Sequence, residues 1–269
     1  MEFYGLLGEK LGHSLSPVIH KKVFEKLNIE AAYKLLPIPK DEIHKVGECI
    51  KLLGIKGVNV TIPYKQEIMK QLSYISDEAK KIGAVNTVLL KGGELYGYNS
   101  DYFGFGKMLE INNIEVKGKV AVVLGYGGAA KAIITYLLDK EVSKLYVVSR
   151  NKSPKEGLDS RAILIDYEDL KEIKGDVLVN TTPVGMYPNV GKSPVGEEVV
   201  NNFSSLVDII YNPKETEFLR LGNLLGKKTC GGLYMLVGQA IKSEEIWQDI
   251  TIDEKVLNEI YEELNKEFI

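Results

Sequence analysis

Three polar segments interrupt the apolar pattern of the first hundred residues. They are Gly12-His13-Ser14-Leu15-Ser16-Pro17, Asn59-Val60-Thr61-Ile62-Pro63-Tyr64-Lys65 and Asn99-Ser100-Asp101. Hydroxyls on Ser14, Ser16 and Thr61 can hold a polyhydroxylated or carboxylate-bearing small molecule. Lys65 supplies a cation and proton donor, and Asp101 a carboxylate to orient it. Taken singly, each has a plainer reading: Ser16 ahead of Pro17 makes a good helix N-cap with Pro at the first helical position. Taken together, they describe a site for positioned acid–base chemistry. His13, His20 and His44 lack metal-ligand spacing, and Cys49 and Cys230 stand far apart without a CxxC pattern. The sequence therefore supports no metal site, and the cysteines read as free thiols of a reducing compartment.

A second chemical signal lies further along. KVAVVLGYGGAAKA sets Gly125, Gly127 and Ala130 directly after a buried strand and at the opening of a helix, the G-x-G-x-x-A form of the dinucleotide fingerprint. Gly125 permits the tight turn, Gly127 lets backbone approach a pyrophosphate, and Ala130 keeps helix and strand close. The helix N-terminal amides then receive the anion. The next strand ends Val148-Ser149-Arg150-Asn151-Lys152. It offers no carboxylate for a ribose 2′-hydroxyl, but an arginine and a lysine that can pair with a 2′-phosphate, which selects NADP over NAD.

These segments sit at the ends of elements whose pattern defines an α/β fold. FYGLLG, YKLLPIP and GVNVTIP read as strands; PVIHKKVFEKL and DEIHKVGECIKLL carry apolar residues at helical spacing; and VNTVLLKGGELYGYN reads as a hairpin turning at Gly92-Gly93. This is an N-terminal α/β substrate domain with a mainly parallel sheet. From Lys117 a second series alternates KVAVVLG, GGAAKAIITYLLDK, KLYVVS, DVLVNTT and SLVDIIY, a Rossmann-type, doubly wound nucleotide-binding domain. Two amphipathic helices, LYMLVGQAIKSEEIW and DEKVLNEIYEELNKEF, close the chain and return to the first domain. The expected division is 1–101 with 239–269 for substrate and 102–238 for cofactor, with crossings near Asp101–Gly106 and Gly232–Gly238.

A net charge of −3 with dispersed Lys and Glu excludes the clustered basic face of a nucleic-acid or anionic-membrane binder. The N-terminus has no signal-peptide pattern, and no apolar run approaches the ~18 residues of a membrane span. A cytoplasmic protein, monomeric or homodimeric, acting on a small molecule is expected.

The strings SLSPVIH, GVNVTIPYK, GAVNT, GYNSD, GYGGAA and GLYMLVGQA, in this order and spacing, resemble the shikimate dehydrogenase family over essentially the whole chain. The resemblance implies NADPH-dependent reduction of 3-dehydroshikimate to shikimate. It gives Ser14 and Ser16 the substrate carboxylate, with Tyr211 as a further contact, and Thr61, Asn86, Asp101 and Gln239 the ring hydroxyls. Lys65 and Asp101 become the catalytic pair, Lys65 stabilising the developing alkoxide and delivering the proton. Gly125, Tyr126, Gly127, Gly128 and Ala129 hold the pyrophosphate, and Ser149, Arg150, Asn151 and Lys152 the adenosine phosphate. Ile209 and Gly232 line the nicotinamide, and Asp77 aligns with an acidic position near the cofactor. Tyr126 departs from the family's small residue, and the turn-rich connection between Arg150 and Ile163 stands where relatives carry a full helix. Two other readings remain: a quinate/shikimate dehydrogenase of the same fold using NAD, and a non-catalytic, ligand-sensing relative, which should have lost Lys65 or Asp101.

Overall fold

The structure, a computed structural model, describes residues 1–12 and 14–267. His13 of the first polar segment and Phe268 of the last expected helix lie outside the described residues. The chain forms two compact units: Met1–Gly104 with Val237–Glu262, and Phe105–Leu236 with the chain from Glu263 onward.

The first unit opens with β1 (Glu2–Gly8), α1 (Ser16–Leu27), β2 (Ala31–Pro37), α2 (Val46–Leu53) and β3 (Gly57–Val60). It continues with β4 (Tyr74–Ile75), α3 (Asp77–Ile82), β5 (Thr87–Lys91), β6 (Glu94–Tyr98) and the start of α4 (Ser100–Ile111). The strands form one sheet in the order β2-β1-β3-β5-β6-β4. β1 runs parallel to β2 and β3, and β4 parallel to β6, while β5 is antiparallel to both of its neighbours. β5 and β6 are joined at Gly92 and Gly93, with φ of 61° and 81°. Positive φ at both loop residues is the type I′ requirement that selects glycine here.

Two expectations are corrected locally. The stretch 41–53 is not one helix: a 3₁₀ turn over Lys40–Lys45 precedes α2. The break falls where the Gly47 N–H, an orphan donor of α2's first turn, is taken by Gln71 Oε1 at 2.7 Å. Ser16 is not the cap of α1 either. Leu15 holds that place without a side-chain bond, and Ser16 is the first helical residue.

The second unit contains β7 (Val120–Leu124), α5 (Gly128–Asp139), β8 (Lys144–Val148), β9 (Ala162–Ile165) and α6 (Tyr167–Leu170). β10 (Gly175–Asn180), α7 (Glu197–Val200), β11 (Phe203–Asp208), α8 (Glu217–Leu224) and β12 (Lys228–Cys230) follow. Its sheet is wholly parallel among the described residues, in the order β12-β11-β10-β7-β8-β9. Counted from β7 this is the dinucleotide-binding order 3-2-1-4-5-6, which reverses between β7 and β10. Ala121 and Val123 pack into one core cluster and Val122 and Leu124 into another. A strand covered on both faces by helices must be apolar at every position, which is why KVAVVLG reads as an unbroken run. No helix links β8 to β9.

The chain closes with α9 (Leu233–Gln248) and α10 (Glu254–Glu267). Within the first unit, Trp247 of α9 donates its Nε1 proton to the Val88 carbonyl at 2.9 Å. The indole lies against Gly57 so closely that a Cβ there would overlap it. This contact anchors the last third of α9 to the middle of the first sheet.

Candidate active site and nucleotide site

The first unit brings Lys65 and Asp101 together from separate elements. Lys65 lies in the turn that follows β3. Tyr64 beside it is buried in the core and donates its hydroxyl to the Ile38 carbonyl at 2.5 Å. The Thr61 N–H reaches the Leu7 carbonyl, and the Lys65 carbonyl accepts from Val85 N–H, both at 2.8 Å. The turn is therefore fixed on three sides. Asp101 sits in the first turn of α4, where the helix dipole favours a negative charge. Lys65 Nζ lies 2.5 Å from Asp101 Oδ2, and the two side chains are 15% and 13% exposed. A shielded, charge-assisted bond of this kind is an arrangement suited to acid–base work.

Beside this pair is a cluster of buried hydroxyls and amides. Asn86 Oδ1 accepts from Ser100 N–H (2.7 Å), Thr87 Oγ1 (3.0 Å) and Ser100 Oγ (3.2 Å). Ser100 Oγ also lies 3.5 Å from Gln239 Oε1 on α9. Asn59 Nδ2 donates to Ser243 Oγ at 2.8 Å, to Thr87 Oγ1 at 3.2 Å and to the Asn86 carbonyl at 3.3 Å. Ser14 donates its hydroxyl to Ser16 Oγ at 3.1 Å and accepts the Ser16 N–H at 3.2 Å, closing the SLS turn on itself. Since Leu15 caps α1, the Ser16 hydroxyl is not committed to the helix end. Asn59 and Ser100 lie in the polar segments marked in the sequence without a role of their own, and Thr87 and Ser243 are not marked as site residues at all. Each is a polar residue at an otherwise apolar strand or helix position, the one signal that could have marked them.

In the second unit, Gly125 has φ +97°, open only to glycine at low cost, and donates its N–H to the Val148 carbonyl at 2.9 Å. Gly127 caps α5 without a side-chain bond, and a Cβ at Gly127 or Gly128 would meet nothing within 4 Å. The turn thus leaves room for backbone to approach a ligand at the positive end of a twelve-residue helix, whose first-turn amides have no partner inside the helix, which fits an anionic pyrophosphate. Across the switch point, Thr181 Oγ1 donates to the Leu124 carbonyl at 2.6 Å, and Asn180 Oδ1 accepts from Thr182 N–H and Oγ1. Tyr126 joins the turn by its backbone, for its hydroxyl reaches the Glu156 carbonyl at 3.0 Å on the helix-free connection.

The basic segment after β8 divides in two. Arg150 is exposed, with no ion pair among the described residues. Lys152 is held by Asp169 at 2.6 Å and Asp166 at 3.3 Å, and its hydrogen bond to Asp169 holds its pKa above the ordinary value. Asn151 Oδ1 accepts from Lys155 Nζ at 3.1 Å, and Ser149 N–H pairs with the Ile165 carbonyl. Arg150 is thus the residue of this segment whose charge is fully available. Ile209 and Gly232 meet: a Cβ on Gly232 would overlap the Ile209 carbonyl. Tyr211 follows β11, its hydroxyl made less acidic by burial. Asp77, at the start of α3, belongs to the first unit, and its exposed carboxylate lies 3.5 Å from Lys80. No group of three or more His, Cys, Asp or Glu side chains that could hold a metal comes together among the described residues.

Asp208, at the end of β11, is fully buried and accepts from Thr216 Oγ1 (2.7 Å), Ile210 N–H (3.0 Å) and Asn180 Nδ2 (3.1 Å). Those bonds end the strand two residues before Ile210, earlier than the apolar run suggests. Burial outweighs them and pushes its pKa from 3.8 up to about 6. A raised carboxylate pKa means that the folded chain binds the proton more tightly than the unfolded one. Asp208 therefore favours folding below about pH 4, and that contribution is lost as pH rises to about 6. The loss amounts to roughly 3 kcal/mol. Asp208→Asn is expected to flatten the pH dependence of unfolding between those limits, measured by urea unfolding across a pH series. An unchanged slope would show that Asp208 titrates normally.

A wholly parallel sheet in the dinucleotide-binding order, its glycine turn at the switch point, and a lysine–aspartate pair on a companion α/β unit define a class: the two-unit, nicotinamide-linked oxidoreductases. Comparison with known proteins narrows it. Residues 6–88 match the family model described as the shikimate dehydrogenase substrate binding domain. The NADP(+) shikimate dehydrogenase of Clostridium beijerinckii is 58% identical over the full length of both chains. Shikimate dehydrogenase 1 from Peptoclostridium difficile superposes with a TM-score of 0.92 at 64% identity, covering 100% of both chains. The enzyme from Thermus thermophilus in complex with NADP(H) and shikimate has a TM-score of 0.87 at 31% identity, over 98% of this chain and 99% of that one. The chain belongs to the shikimate dehydrogenase family.

Proposed function

We propose that this chain catalyses the reversible, NADP-linked reduction of 3-dehydroshikimate to shikimate, with Lys65 and Asp101 handling the proton. The observation that carries the reading is the 2.5 Å contact between their side chains, with Ser100, the residue before Asp101, meeting the Asn86 and Gln239 side chains. Relatives alike over their whole length carry this activity in their names, and one solved structure holds both NADP(H) and shikimate. When bound, NADPH supplies the hydride. Lys65 holds the carbonyl oxygen, stabilises the alkoxide as charge develops, and delivers a proton to it; in the oxidising direction it takes that proton back. Asp101 fixes the lysine head and orients a ring hydroxyl. Ser14 and Ser16 bind the substrate carboxylate, and Thr61, Asn86 and Gln239 the hydroxyls. On the second unit the Gly125–Ala129 turn takes the pyrophosphate, Arg150 the 2′-phosphate, and Ile209 with Gly232 the nicotinamide edge. Among the described residues no helix is long and apolar enough to cross a membrane.

The test is absorbance at the reduced-nicotinamide band, with shikimate and quinate each crossed against NADP and NAD. Turnover confined to shikimate with NADP supports the proposal. Preference for quinate with NAD would replace it by the broader-specificity reading, and inactivity in every combination by the ligand-sensing one. Arg150→Ala is expected to raise the KM for NADP about 10- to 100-fold, the value of a lost charge-assisted bond, and to leave the KM for NAD nearly unchanged. Equal effects on the two cofactors would remove Arg150 from phosphate recognition.

A further inference from the structure

Asn86 has two hydrogen-bonding faces, and the structure leaves no freedom in which of them meets a ligand. The Ser100 N–H is a donor whatever the side chains do, so the atom 2.7 Å from it must be the carboxamide oxygen. Thr87 Oγ1 and Ser100 Oγ add two further contacts on the same oxygen. The Nδ2 group then has no hydrogen-bond partner among the described residues and stands as an open donor. Thr87 holds a special place here. Its side chain is fully buried, and its oxygen receives Asn59 Nδ2 at 3.2 Å, which leaves its own proton for an acceptor such as Asn86. The same oxygen lies 3.0 Å from both Ser100 Oγ and Ser243 Oγ. One hydroxyl thus joins β3, β5, α4 and α9 behind the carboxamide.

We propose that Thr87 is a positioning residue: together with Ser100 it saturates Asn86 Oδ1 and locks the carboxamide with its NH₂ toward the substrate. The inference rests on the proposed function and adds a specificity rule to it. Asn86 can only donate, so the substrate must present an acceptor oxygen there, and a group able only to donate is refused. Thr87 itself touches no substrate. Its loss removes one of the three contacts on that oxygen and leaves Ser100 to hold the carboxamide alone, so the group is held in the same sense but less firmly, which weakens ring recognition and leaves the Lys65–Asp101 pair in place.

The experiment compares Thr87→Val, which keeps the shape and removes the hydroxyl, with Thr87→Ser, which restores it. Asn59 keeps Ser243 Oγ and the Asn86 carbonyl as acceptors in the valine variant, so the fold is retained, as urea unfolding will check. Thr87→Val is expected to raise the KM for shikimate about five- to tenfold, the worth of one hydrogen bond. kcat and the KM for NADP should stay close to wild type, Thr87→Ser should recover the KM, and Thr87→Val should add nothing in an Asn86→Ala background. An unmoved KM, a loss that serine does not restore, or full additivity with Asn86→Ala overturns the role of Thr87 alone. Absence of shikimate turnover by the wild-type chain overturns the proposed function, and the role of Thr87 with it.

Discussion

Replacing Lys65 by alanine lowers kcat by roughly 10²–10⁴-fold while the affinity for NADP stays near that of the wild type. The split follows from position. Lys65 lies in the turn behind β3 of the first unit, held by Tyr64 and by backbone bonds that do not involve its own side chain. The glycine turn and Arg150 belong to the second unit. Truncation therefore removes the proposed proton donor and alkoxide stabiliser without disturbing either turn. Asp101→Asn should also lower kcat, and the double variant should be little slower than Lys65→Ala, because two residues acting as one unit do not contribute additively. The measurements are steady-state turnover and NADP titration by fluorescence. Near wild-type turnover in Lys65→Ala would falsify the assignment of the proton to this lysine.

The second large effect is expected at Gly232. A Cβ there would overlap the Ile209 carbonyl, and the obstacle is backbone rather than the movable end of a side chain. The Gly232 N–H is tied to the Ile210 carbonyl, and its own carbonyl receives the Leu236 N–H as α9 begins, both at 3.0 Å. The clash can be relieved only by separating the end of β11 from the start of α9. Gly232→Ala should cost at least about 1–3 kcal/mol. Its Tm should fall by several degrees, on the order of 5–10 °C, in a thermal scan. The KM for NADP should rise more than that for shikimate, because the displaced carbonyl belongs to Ile209. A normal Tm would mean that the loop has room to give.

Most of the fold was legible because burial on both faces leaves an apolar run no alternative. β7, β8 and β10 stand at their expected places, β11 overlaps its own but starts and ends earlier, and the hairpin at Gly92-Gly93 was written in two adjacent glycines. What was hidden had local reasons. α4 begins at Ser100 and carries Gly104 and Gly106, poor helix formers, so its pattern gave no helix. Gly106 is there because the Tyr136 ring leaves no space for a Cβ, a fact of packing that sequence spacing does not carry. β4 is two residues long and β12 three, too short for any alternation to register. In the site, Lys65 and Asp101 could be named in advance because each lies in a polar motif at an element end. Thr87 and Ser243 could not, since their meaning depends on meeting each other across 156 positions. The ion pairs of Lys152 were likewise invisible, because Asp166 and Asp169 read as ordinary residues of a helix start.

The discontinuity of the first unit sets an order for biosynthesis. Residues 105–236 emerge from the ribosome as one stretch carrying all six strands of the second sheet, which can pair as it appears. The earlier hundred residues must wait. Asn59 reaches Ser243, His20 pairs with Glu244, and the groove beside Gly57 is filled by Trp247, all supplied by a helix synthesised near the end. Until α9 arrives, a nascent chain exposes the apolar surface that Trp247 will cover, and a chain terminated before Val237 holds every strand of the second sheet but lacks both helices that close the chain. Competence to fold is thus acquired from the middle outward, and the residues read first are the last to be made secure.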